Sequence, residues 1–212
     1  MKANLAVSAI LLLVRTPAGA HRLDEYLQAT LFSIEKKHVQ AEMRLVPGVA
    51  VFPIVLSQID TDADGVLSEK EQRAYAERVL RDLSLTMDSQ PLRLKLVSVK
   101  FPAAEDMKEG LGEIRLLLDA DLSPGGRHRR LIFQNHHQGL IGAYLVNCLV
   151  PSDPDIRVTA QARNFDQSFY RLDYVEAGVS WLAAGRELLA AAVFLLFARI
   201  ALTKWLPALR SR

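Results

Sequence analysis

The sequence predicts a mainly β chain: a β-sandwich-like domain carrying an inserted helix-loop-helix, followed by a C-terminal hydrophobic helix. Three observations predict it. Nine short stretches alternate apolar and polar residues with period two and are rich in β-formers. One segment, 49–81, changes to a period near 3.6. Residues 181–206 hold a long apolar run. Half of the 212 residues are hydrophobic and 24% are charged, which excludes wholesale disorder and leaves enough apolar surface for a core.

The N-terminal 1–20 reads as a signal peptide. Lys2 supplies the basic start, Leu5 to Val14 the apolar region, and Ala18-Gly19-Ala20 the small-x-small pattern of a cleavage site. An apolar region ten residues long is too short to span a bilayer. The mature chain is then expected to begin at His21, and 21–178 to form the exported domain. A terminal amine beside an imidazole is a chelating pair for Ni²⁺ or Cu²⁺, so His21 is a candidate transition-metal ligand.

The alternating stretches follow in order: Tyr26 to Ile34, His38 to Leu45, Leu83 to Met87, Leu92 to Phe101, Glu113 to Ala120, His128 to Gln134, Ala143 to Val150, Ile156 to Ala162 and Ser168 to Val175. Turn residues separate them, among them Pro124-Gly125-Gly126 and Pro151-Ser152-Asp153-Pro154. Between the second and third, Val51, Val55, Leu56 and Ile59 fall on one helical face, and Tyr75, Val79 and Leu80 on another. Pro53 suits the first turn of a helix, where its missing N–H costs nothing.

The two helices are joined by Asp60-Thr61-Asp62-Ala63-Asp64-Gly65-Val66-Leu67-Ser68-Glu69-Lys70-Glu71. This run matches D-x-[DN]-x-[DN]-G-x₅-E at every fixed position. Ca²⁺ takes six to eight hard oxygen ligands, more than one regular element can present at a point. A curled loop turns Asp60, Asp62 and Asp64 inward, Gly65 permits the sharp turn, and Val66 offers its carbonyl. Ser68 is expected to act through a water, and Glu71, expected at the surface of the second helix's first turn, to close the shell with both oxygens. Residues 47–82 resemble an EF-hand. The family's sensor domains pair two hands, packing the position held here by Leu67 against the partner. A single hand implies weak binding, and extracellular modules run at about 10⁻⁴–10⁻³ M.

Other residues carry less. His136 and His137 are adjacent, so in a strand they point to opposite faces and do not share an ion; a structural loop is the expectation. Arg127 to Arg130 reads as a solvated hairpin end, and Cys148 as a small core residue. One cysteine excludes an intrachain disulfide and any Cys-rich zinc module. No nucleophile–histidine–acid order, phosphate loop or zinc-protease motif is present, so no catalytic or cofactor-binding residues are expected and no enzyme activity.

Within 181–206 every residue from Leu188 to Ala198 is apolar, with Trp181 and Trp205 at the edges. This is expected to be a transmembrane or membrane-associated helix, with Arg199 and Lys204 reaching toward headgroups. Residues 207–212, with Arg210 and Arg212, form a tail expected on the cytoplasmic side. Residues 21–178 hold 19 basic and 23 acidic residues, a net of −4, so nucleic acid is not an expected partner. The opening His21-Arg22-Leu23-Asp24-Glu25-Tyr26, the DxDxDG helical pair and the hydrophobic helix are together similar to the periplasmic front half of HupE/UreJ-type membrane proteins. That resemblance implies an accessory role in nickel, cobalt or other transition-metal transport beside a separate permease, the alternative to calcium binding through the loop.

Overall fold

The computed structural model describes residues 24–177. The expected signal peptide at 1–20, His21, the expected hydrophobic helix at 181–206 and the expected tail at 207–212 lie outside the described residues. Among those described, no helix is long and apolar enough to cross a membrane.

Among the described residues the chain is mainly β, in two five-stranded sheets with the helical segments between strands. Strands β1 (Tyr26–Ile34) and β2 (His38–Pro47) form a hairpin, Tyr26 facing Pro47 and Ile34 facing Val39. Helices α1 (Phe52–Ile59) and α2 (Glu69–Arg81) come next, and then β3 (Leu83–Met87), the short β4 (Gln90–Pro91) and β5 (Lys95–Lys100). A third helix, α3 (Ala104–Lys108), precedes β6 (Ile114–Asp121), β7 (His128–Asn135), β8 (Gly142–Cys148), β9 (Ile156–Arg163) and β10 (Phe169–Glu176). One sheet runs β5-β6-β2-β1-β8 and the other β4-β3-β7-β10-β9. Every pairing is antiparallel except β1 with β8.

Period-two alternation decides which faces meet. Tyr26, Phe32 and Ile34 on β1, and Leu131 and Phe133 on β7, are all buried, with their immediate neighbours turned toward solvent. The inner faces of the two sheets share one core. Phe32 of the first sheet meets Phe133 edge-on at 5.1 Å and stacks on Tyr170 at 5.9 Å, both from the second.

The helical pair belongs to the same core. Val55, Ile59, Tyr75, Ala76 and Val79 are each at most 1% exposed. Pro53 sits in the first turn of α1, as its spacing requires. Leu67 also packs against this core.

Candidate metal centre

The loop between the helices is shaped by its own side chains. Asp60 caps the C-terminus of α1, its backbone N–H donating to the Leu56 carbonyl at 2.8 Å. Its side chain turns back into the loop, where Oδ2 accepts from the Gly65 N–H at 3.0 Å. Two residues take positive φ to make the turn, Ala63 at 59° and Gly65 at 80°. Asp62 Oδ1 accepts from the Asp64 N–H at 3.3 Å, and Asp64 Oδ1 from the Val66 N–H at 2.7 Å. These local bonds curl the backbone without any regular element.

Where the loop enters α2, Ser68 and Glu71 form a capping box. Ser68 Oγ accepts from the Glu71 N–H, and Glu71 Oε2 accepts from both the Ser68 N–H at 3.1 Å and its hydroxyl at 2.7 Å. The other oxygen, Oε1, accepts from the Thr61 N–H at 2.8 Å and the Thr61 hydroxyl at 3.3 Å. Glu71 therefore ties the start of the loop to its end. It is buried, not at the surface of the helix start as its position in the sequence suggests, because those bonds draw it inward. Hydrogen bonds from the Ser68 hydroxyl first, and then from the Thr61 backbone, hold its carboxyl down at about 2. The group is a carboxylate at any neutral pH.

Carboxylate oxygens of Asp60, Asp62 and Glu71 all lie within 4.8 Å of one another. Asp60 is only 8% exposed, and its second oxygen, Oδ1, is buried with no hydrogen-bond donor among the described residues. A buried carboxylate oxygen without a donor is costly, and a bound cation or water relieves that cost. Asp64 stands outside the three-residue group, its carboxylate bonded to the Val66 N–H. The Val66 carbonyl accepts from the Ser68 N–H at 3.0 Å while its side chain is exposed, and Ser68 is engaged as the helix cap. All six expected ligands are thus in one loop, and three are brought together. Thr61 is the residue that sequence reasoning passed over, because its contribution is a bond to Glu71 and not a ligand position.

The three converging groups are all carboxylates, and among the described residues no histidine belongs to the cluster. His137 is 1% exposed and committed to protein partners. Arg129 also departs from expectation. It is not solvated but 5% exposed, donating to Asp88 at 2.6 Å and to the Ser123 carbonyl at 3.2 Å, with Glu176 3.4 Å away. Cys148 is partly buried against the core, and burial pushes its thiol up to about 11, so it is not a thiolate ligand. Compared with known families and curated proteins, the chain matches no family model and no curated sequence.

Proposed function

We propose that the chain is an exported, membrane-tethered protein with a β-sandwich-like domain that binds Ca²⁺ through the EF-hand loop at Asp60 to Glu71. The observation that carries the reading is the buried, donorless Oδ1 of Asp60 beside carboxylate oxygens of Asp62 and Glu71. Asp60, Asp62 and Glu71 would supply the converging carboxylates, Asp64 and the Val66 carbonyl would join by exchanging their internal bonds, and Ser68 would hold a water. Glu71 can offer both oxygens once the Ser68 and Thr61 hydroxyls rotate away, leaving backbone N–H groups to orient it. Oxygen-only donors favour Ca²⁺ over Ni²⁺ or Co²⁺, which take imidazole readily.

The role this supports is structural or weakly regulatory. Leu67 packs on the chain's own core, so the ion would chiefly fix α1 and α2 against the sheets. Thermal melting of the full-length protein tests it. Millimolar CaCl₂ is expected to raise the melting temperature, with about 2.7 kcal/mol of added stability at a hundredfold excess over Kd. MgCl₂ should do much less, because Mg²⁺ demands a smaller octahedral site, and NiCl₂ should do nothing through this loop. Equal shifts from all three ions would point to charge screening and end the proposal.

A further inference from the structure

Beneath α2 a buried chain of polar side chains connects the helix that carries Glu71 to both sheets. Tyr75 lies one turn beyond Glu71, on the same helical face, and Asp82 caps the far end of the helix. The Tyr75 hydroxyl is 2.7 Å from the Tyr26 hydroxyl on β1 and 3.1 Å from His137 Nε2 in the β7–β8 loop. His137 Nδ1 is 2.7 Å from Asp82 Oδ2, and the Asp82 carbonyl accepts from the His136 N–H at 2.9 Å. Tyr26, Tyr75 and His137 are at most 1% exposed.

This geometry has one proton arrangement that satisfies every group. Nδ1–H donates to the Asp82 carboxylate, so Nε2 of a neutral imidazole must accept, and the Tyr75 hydroxyl donates to it. Tyr26 then donates to the Tyr75 oxygen. A second proton on His137 reverses the chain: Nε2–H donates to Tyr75, Tyr75 donates to Tyr26, and the Tyr26 hydrogen loses its acceptor inside the core.

We propose that the Tyr26–Tyr75–His137–Asp82 chain positions α2, and with it Glu71, for calcium, and that it does so only while His137 is neutral, so calcium binding weakens as pH falls. This rests on the calcium reading above. The route is short and rigid, since Glu71 and Tyr75 share one face of a 13-residue helix. The groups facing His137 are Arg78 and Tyr75 from α2, Asp82 at its C-terminal cap, Tyr26 from β1 and Tyr144 from β8, the last donating to the His137 carbonyl. Burial lowers the imidazole's pKa most; Asp82 works against that and Arg78 with it. The three phenols are all held above their ordinary range by burial and stay neutral throughout. The switch is therefore His137 alone, with calcium and the proton opposing each other.

The test uses the full-length protein and CaCl₂. Calcium affinity should fall as pH drops from about 7.5 to about 5.5, approaching about fivefold only where His137 is fully protonated. Tyr75→Phe, which cuts the chain but keeps the ring, should bind more weakly at the higher pH and show a flattened fall. Because coupling is reciprocal, saturating CaCl₂ should lower the NMR-observed pKa of His137 by about 0.7 in the unmutated protein, which needs no variant to fold. Wild-type binding with the same affinity at both pH values, an equal fall in Tyr75→Phe, or a His137 titration indifferent to CaCl₂ overturns the coupling while leaving calcium binding in place. No binding at either pH overturns the calcium reading itself, and this inference with it.

Discussion

Glu71 and Tyr75 stand one turn apart on the buried face of α2, Glu71 joining both ends of the loop and Tyr75 ending 2.7 Å from Tyr26 on the first strand. The loop is therefore not an appendage. Its closing carboxylate and a core hydroxyl are carried by the same helix, so what disturbs one is felt by the other.

Tyr75→Phe should destabilise the protein even without calcium. It strands the His137 Nε2 lone pair and the Tyr26 hydroxyl in the core, a loss of about 1–3 kcal/mol. Denaturant unfolding in excess chelator reads it. A midpoint equal to wild type would mean that these groups find other partners.

Gly65→Ala separates backbone strain from crowding. A Cβ there meets nothing within 4 Å, but φ is 80°. The expected cost is about 1 kcal/mol from the left-handed backbone alone. Gly65→Asn, which tolerates that region better, should recover part of it. Unfolding midpoints of the two variants check the order.

Acid should loosen the loop in a defined window. The Glu71 carboxyl is held at about 2, below its ordinary 4.5, so its bonds contribute fully above about 4.5. That contribution is lost as pH falls through about 2. His137 adds an earlier loss: with its folded pKa below 6.5, the unfolded chain takes up the proton first, and stability declines as pH drops below about 6.5. Stability against pH for wild type and Glu71→Gln should therefore differ in slope below about 4.5 and run parallel above it. Parallel curves throughout would contradict the assignment.

Phe32→Ala removes the ring that meets Phe133 and Tyr170 across the sheets. Complete burial puts the cost at about 3–5 kcal/mol. An unfolding midpoint close to wild type would show that the two sheets do not depend on this contact.

Much of this fold is legible in the sequence, because the strands are written in a period-two code that burial enforces. Tyr26–Ile34 and Leu83–Met87 fall where the alternation puts them. The predicted strand 92–101 is shorter, Lys95–Lys100, with a register shift between Leu96 and Ser98. Helix α3 is five residues long, too short to show a period, and the parallel pairing of β1 with β8 leaves no local trace. Arg129 and His137 were readable in principle. They continue the inward phase of Leu131, Phe133 and Asn135, but their polarity hides it. In the loop, Asp60, Asp62 and Glu71 meet, whereas Asp64, which the same spacing turns inward, is bonded to the Val66 N–H, and the donors that bury Glu71, from Thr61 and Ser68, follow no periodic pattern.

Calorimetric titration of the full-length protein with CaCl₂, wild type against Glu71→Gln, tests the central claim most directly. Gln keeps one oxygen for Ser68 or Thr61 but lacks the charge and the second oxygen that would close the shell. Wild type should bind one ion with a Kd of about 10⁻⁴–10⁻³ M, and the variant should bind at least about tenfold more weakly while remaining folded in chelator. Superimposable isotherms for the two proteins, or no saturable heat from wild type at millimolar CaCl₂, would contradict calcium binding by this loop.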